Sequence, residues 1–155
     1  VKLDISSARI VHPMRFPIEP QHELSLAEVE EIEDCLYDSN QRATGFNDGR
    51  GLAFVIRDGS RRMVGVVAGY SWANVSEIKQ MWVDEGYRGR GYARELLNAF
   101  VAEATNRGVR RIWVMSYDFQ APGMYENAGF KRVAELSGWP EGHSNVILCM
   151  TLTQE

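Results

Sequence analysis

Residues Gln80–Leu97 read QMWVDEGYRGRGYARELL. Arg88 and Arg90 alternate with Gly89 and Gly91 where an apolar, strand-like run gives way to helical spacing. A helix N-terminus carries unpaired N–H groups and a partial positive charge. Glycines directly ahead of it let the backbone approach a ligand closely, which makes such an end an anion site. Two nucleotide loops can be tested against these residues. A P-loop needs G-x-x-x-x-G-K-[ST], and the chain has no such run. A dinucleotide fingerprint needs G-x-G-x-x-G, but Arg94 stands at the third glycine position. The strands ahead of the loop also read as hairpins rather than the start of a βαβ unit.

Charge supports an anion site on a chain that is acidic as a whole. The formal net charge is −4, which argues against duplex nucleic acid as a partner. Between Gly86 and Arg111, however, six arginines face two glutamates. A local positive zone of this kind suits a small polyanion. From Glu28 to Asp34 the balance reverses, with five acids and no base. That helix face reads as a solvated surface.

The elements that position the loop follow from periodicity. The 155 residues suffice for one ordinary domain with its own core. Pro13, Pro17 and Pro20 keep the N-terminal stretch extended. Ser25 and Glu28 form a capping-box pair ahead of a helix striped by Leu26, Val29, Ile32 and Leu36. That helix fades between Ser39 and Gly45. Strands are expected at Leu52–Arg57, Met63–Tyr70 and Val75–Val83, the first two joined by an Asp58-Gly59 turn. A helix follows at Tyr92–Arg107, closed by Gly108. Next come a strand at Arg111–Ser116 and a short helix opened by Pro122 and closed by Gly129. Strands at Phe130–Leu136 and Asn145–Leu152 complete a mixed α/β domain around one sheet flanked by helices. Strands 75–83 and 111–116 should be parallel, joined by a right-handed crossover. No apolar run is long enough for a membrane span and no signal-peptide pattern opens the chain. With only Cys35 and Cys149, far apart and without metal-ligand spacing, a reduced cytoplasmic setting and no metal site are expected.

Arg88-Gly89-Arg90-Gly91-Tyr92-Ala93 fits the pattern R/Q-x-x-G-x-G/A. With it the chain resembles the GNAT superfamily of acyl-CoA N-acyltransferases. Tyr125-Glu126-Asn127-Ala128-Gly129-Phe130, within Ser116–Val133, is similar to that family's next motif, a tyrosine helix ending in Gly-Phe. Residues 50–152 carry the resemblance. Pro140–Ser144, PEGHS, is similar to a loop of some bacterial members.

The resemblance implies a GNAT-type domain over residues 1–155 that transfers acetyl from acetyl-CoA to an amine by direct attack. It implies that backbone N–H groups of Arg88, Gly89, Arg90, Gly91, Tyr92 and Ala93 hold the pyrophosphate, the arginine side chains being helpers. Main-chain groups of Met81, Trp82 and Val83 would pair with the pantetheine arm like an added strand. Gln120, Pro122, Gly123 and Tyr125 would line the same channel. Tyr125 is the implied general acid, since a phenol is protonated at neutral pH. Glu77, eleven residues before Arg88, is the candidate base, acting directly or through water. Strand alternation puts Glu77, Lys79 and Met81 on one face and Ile78, Gln80 and Trp82 on the other. Plain packing by Tyr125, or an ion pair between Glu77 and a neighbour, are the alternative readings. His143 is the rival base or a structural residue. Trp72 and Trp139 are pocket walls or core. Neither cysteine has a histidine placed to activate it, which disfavours an acyl-cysteine route. The family accepts small amines, antibiotics, polyamines and protein amines, and its members often pair as homodimers. Two other classes stay open: a non-catalytic acyl-CoA sensor or interaction module, and a phosphate-binding interaction domain without CoA preference.

Overall fold

The computed structural model describes residues 16–153. The chain divides into two compact units between Ser39 and Asn40. That boundary falls within helix α1 (Leu26–Thr44). The start of α1 is fixed by the expected reciprocal cap. Ser25 N–H donates to Glu28 Oε2 at 2.7 Å and Glu28 N–H donates to Ser25 Oγ at 3.3 Å. The helix ends at Gly45, whose φ of 77° suits a residue without a Cβ.

The second unit is built on one six-stranded sheet. Its strands are β1 (Arg50–Arg57), β2 (Met63–Trp72), β3 (Val75–Val83), β4 (Arg111–Tyr117), β5 (Lys131–Ser137) and β6 (Ser144–Thr151). They lie in the order β1-β2-β3-β4-β6-β5. Every neighbouring pair is antiparallel except β3 and β4, which are parallel as a strand–helix–strand unit requires. Between them runs α2 (Tyr92–Asn106), which buries Leu96, Leu97, Phe100 and Ala104. These meet Leu52, Val67, Ile78, Ile112, Val114 and Leu148 of the sheet in one core. Helix α3 (Pro122–Asn127) follows β4 and buries Pro122 and Tyr125. Among the described residues no helix is long and apolar enough to cross a membrane.

Within β3 the simple alternation expected from the sequence breaks down. Gly69 pairs with Ile78 and Ala68 with Gln80, so Lys79 is an extra residue with no partner in β2. A bulge of this kind shifts the side-chain phase by one. Before it, Ser76 and Ile78 are buried; after it, Val83 is buried and Met81 packs on the core. Met81 therefore shares the α2 face with Ile78 and Val83, while Gln80 and Trp82 share the face of Glu77. The bulge needs Gly69, because a Cβ at that position would overlap the carbonyl oxygen of Glu77.

Candidate active site

The parallel ladder between β3 and β4 is short. It joins Val75–Ile78 to Arg111–Val114 and then stops, although both strands continue. The stop comes one residue before the Lys79 bulge, where extra twist turns β3 away from its neighbour. The gap is a cleft of about 670 Å³. One wall is the free edge Lys79–Val83, continued by Arg88 and Ala93. The other is Met115 and Ser116, followed by Phe119, Gln120, Met124 and Tyr125. Ile78 and Val114 close the inner end. Its charged lining residues, Lys79 and Arg88, are both basic. Two strand edges with unused backbone groups, apolar walls and basic residues suit a long ligand with an amide-bearing arm and an anionic end.

At the outer end of β3 the loop is held by its own backbone. Asp84 Oδ1 accepts from Gly86 N–H at 3.0 Å, starting a single 3-10 turn over Glu85–Tyr87. Arg88 Nε donates to the Val83 carbonyl at 3.0 Å, and Arg90 Nη2 donates to the Gly86 carbonyl at 3.0 Å. The Arg90 guanidinium also lies 5.1 Å from the Tyr87 ring centroid. Both arginine side chains thus brace the loop while adding charge to it. Gly91 precedes α2 with φ 88° and no side-chain cap. The first N–H groups of α2 are consequently left to a ligand or to water. Gly89, at φ 75°, is the second residue here in the left-handed region.

On the opposite wall Tyr125 is brought in by α3, with Pro122 in the first turn. The tyrosine is 5% exposed and its ring meets Phe130 edge to face at 5.6 Å. Burial pushes its hydroxyl up to about 12, so it keeps its proton throughout the neutral range. Gln120 accepts the Tyr117 N–H at 3.0 Å through Oε1, which ties the loop ahead of α3 to the end of β4.

The residues picked from the sequence do not all converge. Met81, Trp82, Val83, Arg88, Ala93, Gln120 and Tyr125 line the cleft. Gly89, Arg90, Gly91 and Tyr92 shape the loop beside it, and Pro122 and Gly123 open α3. Glu77 lies just inside the closed end, outside the lining, opposite Tyr70 on β2 and Trp113 on β4. It sits with Tyr70 and Lys79 on the face away from α2. Burial, and then the Glu77 carboxylate, raise the Tyr70 hydroxyl, and the Lys79 ammonium sits 5.3 Å from the Tyr70 ring centroid. His143 is on the β5–β6 loop, with Nδ1 3.0 Å from Asp118 Oδ1. Trp72 is at the far end of the sheet, beside the start of β3, donating to the Phe46 carbonyl at 3.2 Å. Cys35 and Cys149 are both free. Sequence reasoning missed Gly69, Ser116, Phe119 and Met124. Only Gly69 carried a signal, as a glycine inside a strand.

Known proteins share this arrangement. The profile of the acetyltransferase (GNAT) family matches residues 16–130. A blasticidin-S acetyltransferase of Streptomyces morookaense is 32% identical over 89 residues, spanning 57% of this chain and 65% of that protein. An acetyltransferase of Agrobacterium fabrum is 29% identical over 113 residues, spanning 73% of this chain and 82% of that protein. Among solved structures, an acetyltransferase from Bacillus cereus superposes with a TM-score of 0.73 at 25% identity, covering 86% of this chain and 98% of that one. The mixed six-stranded sheet with its flanking helices is the GNAT acyltransferase fold, and the chain belongs to the acetyltransferase (GNAT) family.

Proposed function

We propose that this chain transfers the acetyl group of acetyl-CoA to a primary amine by direct attack on the thioester. The observation that carries the reading is the cleft, which runs from an uncapped helix N-terminus to a buried, protonated tyrosine between two free strand edges. Pyrophosphate oxygens would take the N–H groups at Arg88–Ala93, and the pantetheine amides would pair with Met81–Val83. The thioester would then lie toward the inner end.

Three charges must be managed there. An alkylamine resembles Lys, with a pKa near 10.4, and must lose a proton before or during attack. As the C–N bond forms, negative charge on the carbonyl oxygen needs a fixed donor, and the backbone N–H groups around the bulge are the nearest candidates. As the C–S bond breaks, the sulfur takes the electron pair, and the Tyr125 hydroxyl donates to it. A thiol in water titrates near 8.5, well below about 12 for Tyr125. The match improves in place, because the desolvation that raises the phenol also raises a thiolate held in the same cleft. Glu77, at the inner end, would take the amine proton through water; His143, at the outer end, is the second candidate. Similarity to a blasticidin-S acetyltransferase supports a small-molecule acceptor over a protein.

One observation favours a second reading. Neither Glu77 nor His143 lines the cleft, as fits a chain that binds acyl-CoA without turning it over. Thiol release from acetyl-CoA across an amine panel, run beside thermal unfolding with the donor, separates the two. Transfer predicts a raised Tm and amine-dependent thiol release; a sensor gives only the first. No Tm change at saturating acetyl-CoA would defeat both.

A further inference from the structure

Beyond β4 lies a group of rings that touches the cleft only through Phe119. Tyr117 and Phe119 stack face to face at 5.1 Å with 6° between their planes. Trp139, from the β5–β6 loop, meets Tyr117 edge-on at 6.1 Å, and His143 meets Phe119 edge-on at 4.9 Å. The surface they form is open: Phe119 is 56% and Trp139 50% exposed. Polar groups are set around it. His143 Nδ1 and Ser144 N–H hold Asp118 through its two carboxylate oxygens at 3.0 and 3.1 Å. Asn145 is opposite Tyr117 in the β4–β6 ladder, so its side chain leaves the same face. It is 3% exposed, and its Oδ1 has no hydrogen-bond partner. A buried acceptor without a donor is uncommon and marks a place for a group that brings one.

Asp118 and Asn145 Oδ1 offer acceptors, and the rings offer π faces. A compact ammonium has three donors but no planar face to lay along a ring. A guanidinium stacks on a ring while its in-plane N–H groups donate to carboxylate and amide oxygens. Position decides which ligand would carry it. Ile112, Val114 and Ser116 are the buried residues of β4, so Tyr117 projects from the other face, away from α2. The pyrophosphate loop leads into α2, which places the nucleotide end of the donor on the α2 side. The recess therefore belongs with the acceptor. Three residues of strand separate Val114 at the closed end from Tyr117, about 10 Å at strand rise.

We propose that this recess binds a guanidinium or amidinium group of the acceptor, held about 10 Å from the amine that is acetylated. The assignment rests on the transfer reading for where the amine reacts. It is tested with 6-guanidinohexylamine against hexylamine. Wild type should prefer the guanidino amine in kcat/KM by about tenfold or more, one to two paired hydrogen bonds' worth. In Asn145→Leu and in Trp139→Leu that ratio should fall toward one, through the acceptor KM rather than the acetyl-CoA KM. Trp139 is half-exposed, so its variant serves even if Asn145→Leu fails to fold. Hexylamine acetylation without guanidinium preference would overturn the recess while upholding transfer. A rise in acetyl-CoA KM instead would assign the rings to adenine and overturn it as well. Calorimetric titration of the guanidino amine without donor supplies the independent readout. Binding that is lost in the variants upholds the recess even if no thiol is released, and absence of binding refutes it.

Discussion

Replacing Gly69 by alanine tests the bulge that opens the cleft. The new Cβ would overlap the Glu77 carbonyl, with Ile78 Cα 3.2 Å away. These are backbone atoms of the paired strand, so no side-chain rotation relieves the contact. The strands must part at the bulge, and about two ladder hydrogen bonds would be strained or lost, at roughly 1 kcal/mol each. Overpacking adds about 1–3 kcal/mol, giving a total near 3–5 kcal/mol. For a domain of this size that corresponds to a Tm lower by about 6–20 °C. Gly51→Ala is the matched control. It lies on β1 opposite Tyr70, and a Cβ there meets nothing within 4 Å. Its effect should stay within about 1 kcal/mol of zero, with relief of backbone entropy working in its favour. Urea unfolding of both variants gives the comparison, and acetyl-CoA titration shows whether donor binding falls with stability. Equal stability of the two variants, within about 0.5 kcal/mol, would refute the claim that Gly69 is required by the bulge.

Tyr125→Phe keeps the ring packed against Phe130 and removes only the hydroxyl; turnover should fall by about 10² or more with little change in donor affinity. Because burial holds that hydroxyl near 12, any alkaline limb of the pH–rate profile below pH 11 should appear in both enzymes, and a limb lost on mutation would contradict the assignment. Gly91→Val should abolish donor binding, since φ 88° excludes a β-branched side chain, whereas Arg90→Ala should weaken it by only a few fold; calorimetry with CoA orders the two. The Asp58 turn offers a pH test on stability. Hydrogen bonding, chiefly from the Ser60 hydroxyl, lowers its carboxyl to about 2, below the unfolded value of about 3.9. Its contribution is present above that unfolded value and is lost as pH falls through about 2. Ser60→Ala should therefore be less stable than wild type at pH 6 and converge with it near pH 2; a gap independent of pH would exclude this linkage.

Legibility from sequence followed the range of the forces involved. The glycine–arginine loop, the α2 stripe and the Pro122–Gly129 bracket around α3 are set by contacts within a few residues, and each stands where its local signals put it. The face of Met81 was misread because strand parity is local only while the ladder is regular. Lys79 becomes the extra residue through pairing with β2, ten residues earlier at Gly69. The same argument applies to the ring cluster. Tyr117 and Phe119 meet Trp139 and His143 only because β6 returns antiparallel beside β4 and sets the β5–β6 loop at the end of β4. The contacts of His143 with Asp118 and Phe119 depend on the same return of β6. The residues most open to misreading are thus those whose neighbours come from another strand. In this sheet they lie where the acceptor would have to approach, so loop and tyrosine motifs shared across a family identify the donor far more readily than the acceptor.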